Sequence, residues 1–477
     1  MTPELNFIDG KLVDCKGCNT IPVTNPSTDE VIGEIYETPK GEVDRAVAAA
    51  KKAQPAWEKL PAIERAKFLK QIAQKVREHA DEVANILVRE QGKTQALAKV
   101  EANFTADYMD YMAGWARRIE GEIIPSDRPG ETILLMRQAI GVVGGILPWN
   151  FPFFLIARKM APALLVGNTI VIKPSVETPL NASIFAKIVA NTDLPKGVFN
   201  MVFGRGSTTG QNICENPDVG LVSFTGSVDT GVRIMSAAAK NITKVNLELG
   251  GKAPAIVAKD ADLDLAVRAI LASRVINTGQ VCNCAERVYV DRAVEAEFLE
   301  RMSKAMKAVR YGNPEKMADA DMGPLINQAA LSSVSGFVDR ALKEGAECLV
   351  GGEPADIKQG NFYEPTLLAH CKQKMEIVQN EVFGPVLPVV AFDTIDDAIE
   401  MANDTIYGLT SSIYTKDLST AMRASNELRF GETYINRENF EAMQGFHAGT
   451  KKSGIGGADG KHGILEYTHT HVVYIQN

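Results

Sequence analysis

Residues 141–173 read GVVGGILPWNFPFFLIARKMAPALLVGNTIVIK. Gly141–Leu147 is an apolar strand that runs into Pro148-Trp149-Asn150, and Asn168–Lys173 is a β-branched strand stopped by Pro174. The stretch between them reads as helix. The same unit recurs downstream. Val198–Phe203 leads through Gly204-Arg205-Gly206 into a helix, and Leu221–Phe224 leads through Thr225-Gly226-Ser227 into another. Strands alternating with helices predict a parallel sheet covered on both faces, an α/β fold.

On the N-terminal side, Phe7–Val13 (FIDGKLV) carries the Asp-Gly signal of a hairpin, and Val31–Tyr36 reads as a strand. From Gly41 to about Ile119 the spacing turns helical, with Pro61 at a first helical position. Pro125–Gly130 breaks that region, and Ile133–Met136 is strand-like. On the C-terminal side a second α/β segment runs from about Lys252 to Gly456. Its strands are expected at Ala255–Val257, Val288–Val290, Val386–Phe392 and Ser411–Tyr414. The tail Thr468–Ile475 is strand-like and is expected to pair with another subunit.

A length of 477 residues predicts roughly two to four domains. A net charge of −8 argues against nucleic acid or an anionic membrane as partner. The N-terminus has no basic and apolar leader pattern, and Ala161–Ile172 is too short to span a bilayer. Seven cysteines, an odd number, predict free thiols in a reducing cytoplasm. Cys15-x-x-Cys18 lacks a second pair for zinc and lies beside the hairpin rather than at a strand–helix junction, so it is read as having no function. No H-E-x-x-H occurs among the six histidines, which argues against a catalytic metal.

Three residues carry candidate chemistry. Cys282 follows a Gly279-Gln280 turn and is a candidate nucleophile. Glu248 ends an apolar run at Gly250-Gly251; desolvation there would raise its pKa toward that of a working base. Asn150, fixed between prolines in PWNFP, is a rigid amide donor of the kind an oxyanion hole needs. Each also has a plainer reading, as a buried apolar thiol, a partnered carboxylate and a helix cap. Gly204-x-Gly206-x-x-x-Gly210 opens a helix after a strand, the setting of a pyrophosphate site, though without the standard spacing.

Taken in order, PWNFP, KP, FTGS, ELGGK, GQ-x-C, Glu381-Val-Phe383-Gly-Pro and Lys452-Ser453-Gly454 resemble the NAD(P)-dependent aldehyde dehydrogenase superfamily over nearly the whole chain. The resemblance implies a Rossmann-like cofactor domain from residues 1–118 and 140–250. It further implies an α/β catalytic domain over 251–456, and a small β oligomerisation element from 119–139 and 457–477, with a homotetramer as the assembly. It implies Cys282 as nucleophile, Asn150 with the Cys282 backbone N–H as oxyanion donors, and Glu248 as the base that activates water. Ile146, Leu147, Pro148, Trp149, Lys173, Gly206, Gly210, Ser227, Glu381 and Phe383 fall on cofactor positions. Where relatives often carry a Glu that binds the adenine ribose, this chain has Val176, followed by Glu177. NAD is therefore the expected cofactor, with NADP use open.

The substrate end departs further from the family pattern. Arg158 stands where many relatives place an aromatic residue, and Glu441 and His447 occupy the tunnel mouth; Asn283 follows the nucleophile. These polar groups suit a short hydroxyaldehyde or an acid-bearing aldehyde better than an alkyl one. The stretches PWNFPFFLIARKMAP and YINRENFEAMQGFHAG resemble members that oxidise lactaldehyde and glycolaldehyde. A rival reading has Arg158 gripping the distal carboxylate of succinate semialdehyde. Transfer of the acyl group to coenzyme A is disfavoured by Glu248, and a non-catalytic structural role by the intact trio.

Overall fold

The β-branched and glycine-rich runs of the first half form an eight-stranded sheet in a computed structural model that describes residues 1–477. Five strands are parallel and lie in the spatial order Lys244–Glu248, Val219–Thr225, Val142–Ile146, Thr169–Lys173, Phe199–Met201. The chain starts in the middle, moves outward to one side, and returns to the other side of Val142–Ile146. This creates a switch point between that strand and Val219–Thr225, where open α/β sheets bind ligands. The register sets Ile146 beside Lys173 and Phe224, and Thr225 beside Glu248, so the carboxyl ends align. The hairpin Asn6–Ile8 and Lys11–Val13 closes one edge, with Asp9 and Gly10 at φ 52° and 74° as its two-residue turn requires.

The second half builds a seven-stranded sheet, parallel except at the edge strand Glu347–Val350. A third sheet has three strands, Thr468–Gln476, Glu131–Ala139 and Glu122–Pro125. Here the terminal strand departs from expectation. It pairs with its own chain, antiparallel, along the whole of Glu131–Ala139. The short strand Gly454–Ile455 crosses from the C-terminal half and adds to the first sheet beside Lys244–Glu248.

Four helices, Lys40–Lys59, Ala62–Glu78, Ala80–Gln91 and Gln95–Ala113, fill the helical region; Pro61 sits one position before its helix, as the cap. Helix Pro152–Leu165 is buried at every position, between the N-terminal helices and the sheet. A helix apolar all round belongs in a core, so Arg158 and Lys159 within it must find partners. No helix is long and apolar enough to cross a membrane. The expectation of seven free thiols is corrected: Cys15 and Cys18 form a disulfide, and five thiols remain. A turn closed by Cys18 N–H donating to Cys15 O brings the two side chains together.

Candidate active site

Asn150 leaves the strand Val142–Ile146 at the switch point and is held from three sides. Its main-chain carbonyl accepts from Lys93 Nζ at 2.8 Å and from Asn277 Nδ2 at 3.1 Å, and its own Nδ2 donates to Gln280 O at 3.1 Å. One amide hydrogen is thus anchored while the other is free for a ligand. The opposing loop is strained. Asn277, Thr278 and Gly279 have φ of 49°, 60° and 73°, and the left-handed region is costly for a β-branched residue. Its neighbours hold it there: Thr278 Oγ1 donates to Gly323 O, and Gln280 bonds Pro324 O and Ile326 N. A Cβ on Gly279 would lie 2.3 Å from Gly384 O, so only glycine fits.

This loop delivers Cys282, which is half-buried. Burial pushes its thiol up and His447 pulls it back down, leaving it above the ordinary value. Cys284 is fully buried, accepts from Arg274 and is pushed up to about 12, so it stays an inert thiol. Glu248 ends its strand buried, accepting a hydrogen bond from Thr225 Oγ1 at 3.0 Å. The expected upward shift of Glu248 is corrected. Burial does push it up, but Arg158, Lys159 and His447 outweigh that, and its pKa lies below the usual carboxylate value. Lys159 reaches the same hydroxyl, Thr225 Oγ1, at 3.0 Å.

Asn150, Thr225, Glu248 and Cys282 line two openings that meet at them. Pro148, Trp149, Ser227, Glu381 and Phe383 line one of these. Trp149 and Phe383 meet edge-to-face at 5.5 Å, and Glu381 accepts from Gly251 N–H at 2.9 Å. Lys173, Gly206 and Gly210 gather beyond this opening. Lys173 Nζ donates only to the carbonyls of Pro174 and Gly204, and burial lowers its pKa to about 8. Gly206 begins the helical turn that continues through Cys214 and has open space beside it. A buried cation without a carboxylate bridge, next to an open helix start, fits a nucleotide's ribose and phosphates. Ile146 and Leu147 are buried at the sheet's end and line neither opening.

The other opening has an apolar wall, including Phe104, Phe154 and Phe440, and a charged end. Arg158 forks onto Asp459, with Nε–Oδ1 at 3.1 Å and Nη2 on Oδ2, and its Nη1 lies 3.3 Å from Glu441. Asn283 Nδ2 donates to Glu441, and His447 Nδ1 meets Glu432 Oε1 at 2.6 Å. All four expected substrate-end residues therefore come together. Sequence reasoning missed Asp459, Glu432, Lys93 and Lys159. The signal available for Asp459 was the pair of charges Arg158-Lys159 in an otherwise apolar helix, which demands a buried carboxylate.

A model described as the aldehyde dehydrogenase family matches residues 12–473. The chain is 62% identical to lactaldehyde dehydrogenase of Escherichia coli (strain K12), covering 99% of this chain and 98% of that protein. The crystal structure of lactaldehyde dehydrogenase from Escherichia coli superposes with a TM-score of 0.98 at 61% identity, covering 100% of both chains. Betaine aldehyde dehydrogenase of Staphylococcus aureus, solved in complex with NAD+, does so at 0.96 and 36% identity, covering 99% of this chain and 94% of that one. With a strained cysteine loop facing an anchored amide and a buried carboxylate, and with matches along nearly its full length, this chain belongs to the aldehyde dehydrogenase family.

Proposed function

We propose that the protein oxidises short hydroxyaldehydes, L-lactaldehyde to L-lactate and glycolaldehyde to glycolate, with NAD as cofactor. The observation that carries the substrate is the state of Arg158. Its fork is already taken by Asp459, and Glu441 holds its remaining edge. A substrate carboxylate would meet two carboxylates there, which disfavours succinate semialdehyde. A hydroxyl can instead donate to Glu441 and accept from His447, both on the cavity wall. The high identity to a lactaldehyde dehydrogenase supports the same reading.

In this mechanism the Cys282 thiolate attacks the aldehyde carbon, and the free amide hydrogen of Asn150 with the Cys282 N–H stabilises the oxyanion. NAD, when bound in the opening lined by Trp149 and Phe383, would supply the hydride acceptor, and loss of hydride from the thiohemiacetal carbon leaves a thioester on Cys282. Glu248, ionised by its cationic neighbours, takes a proton from water, whose oxygen attacks the thioester and expels the thiolate. Trp149, Phe383 and Glu381, which line the same opening, would hold the ring and ribose, and Lys173, Gly206, Gly210 and Ser227 the rest of the nucleotide. Ile146, the last residue of its strand, and Leu147, which follows it, would support the site by packing rather than by contact with the openings.

Val176 in place of a carboxylate removes one repulsion against a 2′-phosphate and supports a secondary use of NADP, with Glu177 the neighbouring carboxylate that opposes it. We read residues 1–118 and 140–250 as the cofactor domain, 251–456 as the catalytic domain, and 119–139 with 457–477 as the oligomerisation element of a homotetramer. The three-stranded sheet leaves strand Glu122–Pro125 at an open edge with Ile123 78% exposed, a surface that a second copy would cover. A nucleophile that must stay reduced fits a cytoplasmic enzyme. The test is kcat/KM on L-lactaldehyde, glycolaldehyde and succinate semialdehyde with each cofactor. Higher efficiency on the semialdehyde would overturn the substrate.

A further inference from the structure

We propose that Glu286 is a positioning residue that fixes the segment Glu381–Phe383 against the loop of Cys282, and so sets the spacing between the carbon held on the thiol and the hydride acceptor. The inference rests on Cys282 and Phe383 serving as proposed above, but not on the identity of the aldehyde.

Three segments meet at this carboxylate. Glu286 stands at the start of the strand Ala285–Asp291, just after the nucleophile, and is fully buried. Its Oε2 accepts from Lys252 Nζ at 2.8 Å and from Val382 N–H at 3.1 Å. Its Oε1 lies 2.8 Å from Arg274 Nη1 and accepts from Phe383 N–H at 3.2 Å. Each oxygen thus holds one cation and one main-chain N–H, which satisfies a buried charge. Burial pushes Glu286 up, but Arg274 and Lys252 outweigh it and keep the group below the usual carboxylate value. Arg274, from the helix Leu263–Val275, carries the connection on to the cysteine loop. It donates to Gly279 O, to Ala285 O at 3.0 Å and to Cys284 Sγ at 3.0 Å, and so grips the chain on both sides of Cys282. Lys252 follows the Gly250-Gly251 turn. A Cβ on Gly250 would lie 2.3 Å from Glu381 Oε2, and one on Gly251 2.4 Å from Cys282 O, so this turn is wedged between the other two segments.

The segment Glu381–Phe383 needs such an anchor. It lies between the short helix Glu376–Gln379 and the strand Val386–Phe392, so no regular element holds it. Phe383 has φ of 55°, a costly conformation for a bulky residue that persists only where the surroundings over-determine it. Glu286 takes the N–H groups of both Val382 and Phe383, and Gly251 N–H donates to Glu381. The ring so placed meets Trp149 edge-to-face and lines the opening shared with Cys282. Removing the Glu286 charge would leave those two N–H groups without an anionic acceptor and let the strained residue relax, carrying its ring with it. Arg274 would keep its bonds to Gly279, Ala285 and Cys284, so the thiol would stay in place. The effect therefore falls on hydride transfer and spares the chemistry of the thiol.

The experiment compares two reactions of the full-length enzyme. Oxidation of glycolaldehyde needs both the thiol and the hydride acceptor. Hydrolysis of p-nitrophenyl acetate needs no hydride acceptor: Cys282 takes the acetyl group, p-nitrophenolate leaves, and water cleaves the thioester. Glu286→Gln should slow the NADH burst about tenfold to a hundredfold and raise the isotope effect seen with C1-deuterated glycolaldehyde. Ester hydrolysis and KM for glycolaldehyde should change little. An equal loss in both reactions overturns the proposal and leaves Glu286 a role in stability alone, and so does an unchanged burst in the folded variant. Because Glu286→Gln strands two buried cations, the second variant joins it to Lys252→Met, which keeps the net charge of the cluster, and should show the same split. In wild type without cofactor the N–H groups of Val382 and Phe383 should exchange slowly with deuterated water; exchange as fast as in an unfolded peptide overturns the proposal whatever the variants do. A wild type that hydrolyses the ester but makes no NADH from glycolaldehyde refutes the proposed substrate instead, while slow exchange at Val382 and Phe383 that is lost in Glu286→Gln still supports the coupling.

Discussion

Lys93 donates to the main-chain carbonyl of Asn150 at 2.8 Å, from a position with 1% exposure. The same ammonium bonds Glu101 Oε2 and lies 3.7 Å from the centre of the Phe151 ring. Glu101 in turn accepts from the N–H groups of Phe153 and Phe154 at 2.9 and 3.1 Å, at the start of the helix that carries Arg158. A buried ion pair thus joins the N-terminal helices to Asn150, the proposed oxyanion donor.

Lys93→Met should therefore cost both stability and rate. It strands a buried carboxylate, an effect of about 3–5 kcal/mol, read as a lower Tm. Loss of the anchor on Asn150 should lower kcat about tenfold to a hundredfold with little change in KM. Adding Glu101→Gln should recover much of the Tm but not kcat. Joint recovery of both would assign Lys93 to stability alone.

The proposed catalytic trio separates by which step each member serves. Cys282→Ala should abolish turnover while retaining cofactor binding. Asn150→Ala should lower kcat by about 10²–10³ without abolishing the burst. Glu248→Gln should give a full burst of NADH followed by a steady state slowed by about 10²-fold or more, since only water activation is impaired. A Glu248→Gln enzyme without a burst would move Glu248 to an earlier step.

What the sequence made legible was local. PWNFP and GQ-x-C announce rigid backbone around a donor and a thiol, and strand–turn–helix units announce the switch point that joins them. What it hid was tertiary. Asp459 is 301 residues from Arg158, and Lys93 is 57 residues from Asn150, joined by contacts with no periodicity or spacing. The pKa direction of Glu248 was misread for the same reason. Its apolar strand is visible locally, whereas the cations that outweigh burial come from the helix Pro152–Leu165 and from His447 far downstream.

Asp459 offers a direct test of specificity. Asp459→Asn keeps the shape but releases the Arg158 fork from its carboxylate partner. Efficiency on succinate semialdehyde should rise relative to L-lactaldehyde by about tenfold, roughly the 1–2 kcal/mol of a charge-assisted bond. An unchanged ratio would show that Arg158 does not face the distal end of the substrate.

Cofactor affinity should depend on pH through Lys173. Burial brings this amine down to about 8 from an ordinary value near 10.5. Below pH 8 it is an ammonium that, in the proposed role, would face the nucleotide's oxygens; above that pH it loses its charge and its attraction for them. NADH binding, followed by fluorescence, should weaken as pH rises from 7 to 9. In stability the sign is opposite. The unfolded chain holds this proton up to about pH 10.5 and the folded apoenzyme only to about 8, so Lys173 penalises folding below 8 and the penalty lifts as pH rises through that window. Lys173→Met should bind NADH more weakly at pH 7, with a flat profile to pH 9. A wild-type profile already flat would show that Lys173 holds its proton throughout or does not touch the nucleotide.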